Sequence, residues 1–279
     1  MKYLAMAMLL TVLANPVAAA SRASPLHPGD RYVAMGSSFA AGPGVTTSAD
    51  TPANRCARSR DNYARQVARK RGFTLVDVSC SGATTADILR GSATIPAQIE
   101  AVTADTRLVT VTIGGNDVGY IGALGGASCR LLGTDAQAPG GRCPDAHLAD
   151  EAQWAALKGA LEQVAREVRR RAPSARLLFV DYVSVLPETG GCKAAPLPAA
   201  DAKQARATAA RLAQLTAAVA KDTGSTLVRV SSLSRGHDAC AADPWVTGFP
   251  QPGGAFFVPY HPNLAGMTAV ASAIDRTLH

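Results

Sequence analysis

The alternation of apolar and polar positions along the chain predicts strands and helices that follow one another throughout. Compact apolar runs, rich in β-branched residues, predict strands at residues 32–35, 74–78, 108–113, 176–183 and 226–230. Between them, segments with apolar side chains on one side predict helices at residues 62–71, 85–89, 151–171 and 199–222, and a last helix that begins at Pro262. We therefore expect a three-layer α/β/α fold, with a mostly parallel five-stranded sheet that is covered on both faces.

Two segments lack a regular pattern. Residues from about 123 to 146 are dense in glycine and are predicted to form a loop, and residues 233–260 are predicted to be irregular. The first three predicted strands end at polar motifs that contain glycine: Gly36-Ser37-Ser38, Gly82 and Gly114-Gly115-Asn116-Asp117. Ligands bind at the carboxyl edge of open α/β sheets, so we expect the functional site at that edge.

The first twenty residues have the order of a secretory signal peptide. Lys2 precedes an apolar run from Leu4 to Leu13, and Pro16 and three alanines at 18–20 follow it. The run is short for a membrane span, although an uncleaved N-terminal anchor is the alternative. We expect residues 1–20 to be removed and residues 21–279 to form a single domain of a secreted, extracellular protein.

Six cysteines follow the predicted signal peptide, at positions 56, 80, 129, 143, 192 and 240. An even number behind an export signal predicts three disulfides, and the spacing alone leaves fifteen pairings open. The sequence has no Cys-x-x-Cys pair and its histidines are scattered, so we predict neither a metal site nor a cofactor.

The chain carries a formal net charge of +7, and much of the excess lies in arginines and a lysine between residues 55 and 71. This cluster is interpreted as a solvated helix face, or alternatively as a surface that makes transient contact with an anionic envelope or lipid surface. No aromatic residues interleave with the basic ones and no nucleic-acid motif is present, so nucleic acid is not an expected partner. We expect a monomer.

The candidate chemistry lies in four residues. Ser38 follows a predicted strand and Gly36, and His261 is the histidine that best combines with it as a base. The Gly82 amide and the Asn116 side chain are candidate donors to an oxyanion. In isolation each has a structural interpretation, because a serine or a Gly-Gly-Asn-Asp run at a strand end also suits a helix cap or a tight turn.

The four motifs together resemble the SGNH (GDSL-type) hydrolase family. Residues 32–39 resemble its first block, which implies that Ser38 is the nucleophile, and residues 79–84 resemble the second, whose glycine (Gly82) donates a backbone N–H. Residues 113–117 match the third block, with Asn116 as a side-chain donor, and residues 258–261 resemble the fifth, with His261 as the base. The Ser38 amide would complete the oxyanion hole, and the implied fold is the flavodoxin-like SGNH hydrolase fold.

The sequence departs from the family pattern at two positions. Ser37 replaces the aspartate of Gly-Asp-Ser, and Val258 replaces the aspartate three residues before the histidine. Secreted actinobacterial-type esterases and lipases, which this chain resembles, can orient the histidine with a backbone carbonyl instead, and we expect the Val258 carbonyl to do so. The same resemblance implies the disulfides Cys56–Cys80, Cys129–Cys143 and Cys192–Cys240.

We therefore predict a secreted, metal-independent serine esterase or lipase that acts on carboxylic esters. The acyl chain is expected to contact Val118, Tyr120 and Ile121. One alternative is an acetyl-esterase that acts on cell-wall or other polysaccharide. Another is a catalytically silent envelope-binding protein of the same fold. A series of p-nitrophenyl esters of increasing chain length would distinguish the three.

Overall fold

A five-stranded parallel sheet forms the centre of the molecule, as a computed structural model shows for residues 25–134, 141–145, 147–250 and 258–279. The predicted signal peptide lies outside these residues. The strands are β1 (Arg31–Gly36), β2 (Thr74–Asp77), β3 (Thr106–Thr112), β4 (Arg176–Val180) and β5 (Thr226–Val228). They lie in the order β2-β1-β3-β4-β5, and every neighbouring pair is parallel. The predicted α/β fold class is confirmed.

Helices cover the sheet on both faces. They are α1 (Ser38–Ala41), α2 (Tyr63–Arg71), α3 (Thr85–Leu89), α4 (Tyr120–Leu132), α5 (Glu151–Arg171), α6 (Ala199–Asp222), α7 (Val230–Leu233) and α8 (Leu264–Thr277), with a 3₁₀ helix at Gln98–Ala101. Helix α2 packs against α8, whereas α5 packs against both α3 and α6. Since crossovers between parallel strands are right-handed, the reversal of strand order after β2 places these two groups on opposite faces. Within the described residues, no helix is both long and apolar enough to cross a membrane.

The strand order also determines where a ligand can bind. The connection from β1 to β2 crosses one face of the sheet, and the connection from β2 to β3 crosses the other face. The loops that follow β1 and β3 therefore leave in opposite directions, which opens a crevice at the carboxyl ends of these two strands. All of β1 except Arg31 is buried, as is β3 except Arg107. A rigid, buried pair of strands therefore supports the loops that follow Gly36 and Thr112.

Local capping explains why the predicted helix bounds hold at α5 and, to within one residue, at α2. The Asn62 side chain accepts the Arg65 N–H at 3.0 Å, and Gly72 ends α2 in the left-handed conformation with φ of 70°. Asp150 and Gln153 form a reciprocal capping box at the start of α5. Helices α5 and α6 begin and end at the predicted residues.

Helix α4 occupies part of the segment that the sequence predicted as a loop, so that prediction is wrong for residues 123–132. Tyr120, Leu124 and Ala127 are buried at helical spacing on one side of α4. A Cβ added to Gly126 would lie 2.2 Å from the Pro144 carbonyl oxygen. This glycine therefore allows close packing on the following segment and does not mark a loop.

Three element ends at the carboxyl edge differ from prediction by two residues or more. Strand β5 ends at Val228 instead of residue 230, where α7 begins. Strand β4 ends at Val180 instead of residue 183. In the next residue, the Asp181 carboxylate accepts the Ser231 N–H at 2.8 Å and the Ser231 hydroxyl at 2.6 Å. Helix α8 begins at Leu264 instead of Pro262, because the Asn263 side chain accepts the Gly266 N–H at 2.9 Å and caps the helix.

All six cysteines are paired. The structure joins Cys56 to Cys80, Cys129 to Cys143 and Cys192 to Cys240, with Cα–Cα distances of 4.0, 5.6 and 5.7 Å. These are the pairs that the family resemblance implied. The first bridge links the segment before α2 to the loop that carries Gly82.

Candidate active site

Ser38 lies at the first position of α1, immediately after β1. Gly36 ends the strand with φ of 143°, and a Cβ there would lie 2.5 Å from the Thr112 carbonyl oxygen of β3. The Ser37 N–H donates to that same oxygen at 3.0 Å, which ties the turn to β3. As the first helical residue, Ser38 has a backbone N–H with no acceptor inside α1.

His261 contacts the Ser38 hydroxyl from the loop before α8. Its Nε2 lies 2.7 Å from Ser38 Oγ, and its Nδ1 lies 2.7 Å from the Pro259 carbonyl oxygen. A carbonyl only accepts, so in the neutral ring Nδ1 carries the proton and Nε2 is the acceptor. This tautomer is the one that can take the hydroxyl proton from Ser38.

The expected role of the Val258 carbonyl is corrected to Pro259. The Val258 carbonyl accepts the Thr247 hydroxyl at 2.6 Å, so it is occupied elsewhere. Tyr260 has φ of 61°, a strained conformation for a residue other than glycine, and it turns the chain so that the Pro259 carbonyl faces the ring. The Tyr260 hydroxyl lies 2.6 Å from Ser128 Oγ of α4, and this buried contact helps to hold the turn.

No carboxylate among the described residues forms a hydrogen bond with His261. Asp238, a candidate acid in the preceding loop, accepts the Cys240 N–H at 2.9 Å. The Asp243 carboxylate lies 3.5 Å from Nδ1 of His237. Burial lowers the pKa of His261 from 6.5 to about 4, although the hydrogen bond to Pro259 acts in the opposite direction. The ring is therefore a neutral base over most of the pH range.

The candidate oxyanion donors lie on the next two strand ends. Gly82 has φ of 82°, which side chains rarely adopt, and no acceptor within the described chain takes its N–H. Asn116 Nδ2 donates to the Ala83 carbonyl at 2.9 Å, which fixes the amide plane and leaves its second N–H for another acceptor. With the Ser38 N–H, the crevice holds three candidate donors.

The sequence model of the GDSL-like lipase/acylhydrolase family matches residues 34–269. The chain belongs to this family. It is 37% identical over 250 residues to Lipase 2 of Streptomyces coelicolor, covering 86% of this chain and 83% of the relative. It is also similar to the crystal structures of phospholipase A1 from Streptomyces albidoflavus (25% identity) and of an extracellular lipase from Streptomyces rimosus (26% identity). Each has a TM-score of 0.68 and covers 89% of this chain and 99% of the relative's chain. The protein is a carboxylic ester hydrolase of the GDSL-like family.

In this GDSL-like hydrolase, direct contacts connect the loops that carry the candidate residues. The Cys80 N–H donates to the Gly36 carbonyl at 3.0 Å, which links the Gly82 loop to the nucleophile turn. Asp117 accepts the Thr85 N–H at 3.1 Å and its hydroxyl at 2.5 Å, which links the Asn116 turn to the start of α3. Burial raises the pKa of Asp117. These links join the loops that follow β1, β2 and β3 into one unit.

The predicted acyl-chain contacts are only partly accessible in the GDSL-like fold. Val118 is fully buried, so it offers no surface to a substrate and that prediction is wrong. Tyr120 lines a cavity of about 350 Å³ that lies at the same edge of the sheet, between the ends of β4 and β5 and helix α6. None of the four candidate catalytic residues lines this cavity.

Sequence reasoning missed three residues of this site in the GDSL-like hydrolase. Pro259 orients the histidine, and the Thr247 hydroxyl accepts the His261 N–H at 3.1 Å. Tyr182 accepts the Gly115 N–H at 2.8 Å. The one available signal was position: Tyr182 lies in the loop after β4, two residues past the end of that strand, and β4 is the neighbour of β3 in the sheet.

Proposed function

We propose that the chain hydrolyses carboxylic esters through an acyl-enzyme on Ser38, with His261 as the base. The contact of 2.7 Å between His261 Nε2 and Ser38 Oγ, with Nδ1 satisfied by Pro259, carries this proposal. As Oγ bonds to the ester carbonyl carbon, its proton passes to Nε2. The tetrahedral intermediate then expels the alcohol, which leaves with that proton.

The second half of the reaction repeats these steps with water. His261 takes a proton from water, whose oxygen bonds to the acyl carbon, and Ser38 leaves as its hydroxyl with the proton returned. The Ser38 and Gly82 amides and the Asn116 side chain would hold the negative oxygen in both tetrahedral intermediates. Their unused N–H groups support this assignment.

Esters of lipids are the proposed substrates. The relatives named above are lipases and a phospholipase A1. Secretion is supported by the signal-peptide pattern of residues 1–20 and by the similarity to an extracellular lipase. The secreted form would be a single domain of residues 21–279.

Ser38→Ala and His261→Ala test the mechanism. Turnover of p-nitrophenyl esters from acetyl to palmitoyl should be lost in both variants, whereas the melting temperature should stay near that of the wild type. A fluorophosphonate probe should label the wild type and Ser37→Ala, which keeps the nucleophile, but not Ser38→Ala. Turnover by Ser38→Ala, or labelling of another serine, would contradict the proposal.

The same series separates the substrate classes. A lipid esterase should prefer medium or long acyl chains, while an acetyl-esterase of polysaccharide should act only on the shortest. A binding protein without catalysis would turn over none of them.

A further inference from the structure

Tyr182 lies between the nucleophile turn and the Asn116 turn. Its hydroxyl accepts the buried Gly115 N–H at 2.8 Å. Tyr182 is 7% exposed, and it comes from the loop after β4, the strand beside β3. The hydroxyl thus touches the residue before Asn116, in the turn that follows β3.

The Tyr182 ring continues this contact toward the base. It packs on Phe39 at 4.7 Å between ring centroids, and Phe39 in turn packs on the His261 ring at 5.2 Å. Phe39 follows Ser38 directly in the chain. The ring of Tyr182 therefore supports the nucleophile and the base from the side opposite to the Gly82 loop.

The absence of a side chain at Gly115 makes room for the Tyr182 ring. A Cβ added to Gly115 would lie 2.8 Å from the Tyr182 hydroxyl oxygen and 2.9 Å from Cζ. A side chain at position 115 would therefore displace the ring. The close approach leaves the Gly115 N–H with Tyr182 as its acceptor, in a place that water does not reach.

From these contacts we infer that Tyr182 is a positioning residue, whose hydroxyl sets the Asn116 side chain for oxyanion binding by holding the Gly115 N–H. The inference rests on the proposed function of Ser38, His261 and Asn116. The hydroxyl acts on the reaction only through the Gly115-Asn116 turn that it holds.

Tyr182→Phe tests the inference because it keeps the ring and removes only the hydroxyl. The complete loss of an oxyanion donor costs about 100- to 1000-fold in kcat, so a donor that is only loosened should cost about 10-fold. KM should change less than about twofold, because the donor acts on charge that develops in the transition state. Rates are normalised to the sites that react fully with a fluorophosphonate, so that any unfolded fraction does not count.

Tyr32→Phe is the matched control. The Tyr32 hydroxyl lies 2.7 Å from Thr110 Oγ1 within the sheet; this tyrosine is also buried, and its hydroxyl bonds to none of the catalytic turns. Both variants lose one buried hydrogen bond, so both should lower the melting temperature by a similar amount. Only Tyr182→Phe should lower kcat.

A double-mutant cycle with Asn116→Ala decides how Tyr182 acts. If the hydroxyl works through Asn116, Tyr182→Phe should change kcat by less than about twofold in the Asn116→Ala background. An equal 10-fold loss in both backgrounds, or a normal kcat in Tyr182→Phe, would overturn the inference. Ser38→Ala is measured alongside: if it retains turnover, the proposed mechanism itself fails, and if it is inactive, only the role of Tyr182 is in question.

Discussion

The acid limb of the pH profile should lie near pH 4, well below the ordinary range of histidine. His261 must be neutral to take the Ser38 proton, and burial lowers its pKa to about 4. No carboxylate in the described chain contacts the ring to raise that pKa, and the Pro259 carbonyl carries no charge. The free enzyme should therefore stay active in mild acid.

The size of the effect follows from the two pKa values. At pH 5 a histidine with a pKa of about 4 is about one tenth protonated, whereas one with a pKa of 6.5 is about 97% protonated. The neutral fraction differs by about 30-fold between the two cases. The value of kcat/KM at pH 5 should thus be about 90% of its plateau, where an unshifted histidine would leave about 3%.

The measurement is kcat/KM for a short p-nitrophenyl ester between pH 3.5 and 8. Each reaction is stopped in alkaline buffer, so that the nitrophenolate absorbs equally whatever the reaction pH. His237→Gln is the control variant, since that ring stacks on Trp245 at 4.0 Å and has no bond to Ser38. Its profile should match that of the wild type.

Stability must be followed in the same samples. The pKa of His261 is lower in the folded chain, so below pH 6.5 the unfolded chain binds this proton more readily. The contribution of His261 to stability is present above pH 6.5 and is lost as the pH falls from 6.5 toward 4. Circular dichroism at each pH identifies the points where the protein is folded. A half-maximal kcat/KM near pH 6.5 in folded protein would refute the reasoning.

Two further predictions concern the oxyanion hole and the bridge behind it. Asn116→Ala should lower kcat by about 100-fold with a smaller change in KM, as measured by steady-state kinetics, and a normal kcat would make the Gly-Gly-Asn-Asp run a structural turn only. Replacing Cys56 and Cys80 together by serine should reduce the free energy of unfolding by about 3 kcal/mol in urea titrations, because the bridge closes a loop with a sequence separation of 24 residues. An unfolding midpoint at the same urea concentration as that of the wild type would argue against that value.

The pattern of the sequence predicted those parts of the fold that depend on local signals. Helices α5 and α6 have long apolar stripes, and α5 has a capping box, so both bounds were predictable. Helix α4 was not predictable, because its glycines suggest a loop in the sequence. Only the structure shows that Gly126 is needed for close packing against the Pro144 carbonyl. A glycine selected for close packing and a glycine selected for a turn look alike in one sequence.

The candidate site shows the same division. The four candidate residues each follow a strand end or precede a helix, so the sequence could predict that they lie at the same edge of the sheet. They are Ser38, Gly82, Asn116 and His261. The acceptor for Nδ1 could not, since whether Val258 or Pro259 faces the ring depends on the positive φ of Tyr260. Such a backbone turn leaves no trace in the residue types.

The carbonyl partner changes how the site must stabilise its transition state. A carboxylate beside Nδ1 would both fix the tautomer and offset the charge of the imidazolium as it forms, whereas the Pro259 carbonyl mainly fixes the tautomer. Burial already disfavours the protonated ring. In the proposed mechanism, the oxyanion of the tetrahedral intermediate then serves as a countercharge to the imidazolium, and it exists only while its donors hold it. The rate should therefore depend more strongly on the placement of Asn116 than it does in a site with a full triad. Because the Tyr182 hydroxyl holds Gly115, the residue before Asn116, the rate should depend on this hydroxyl too.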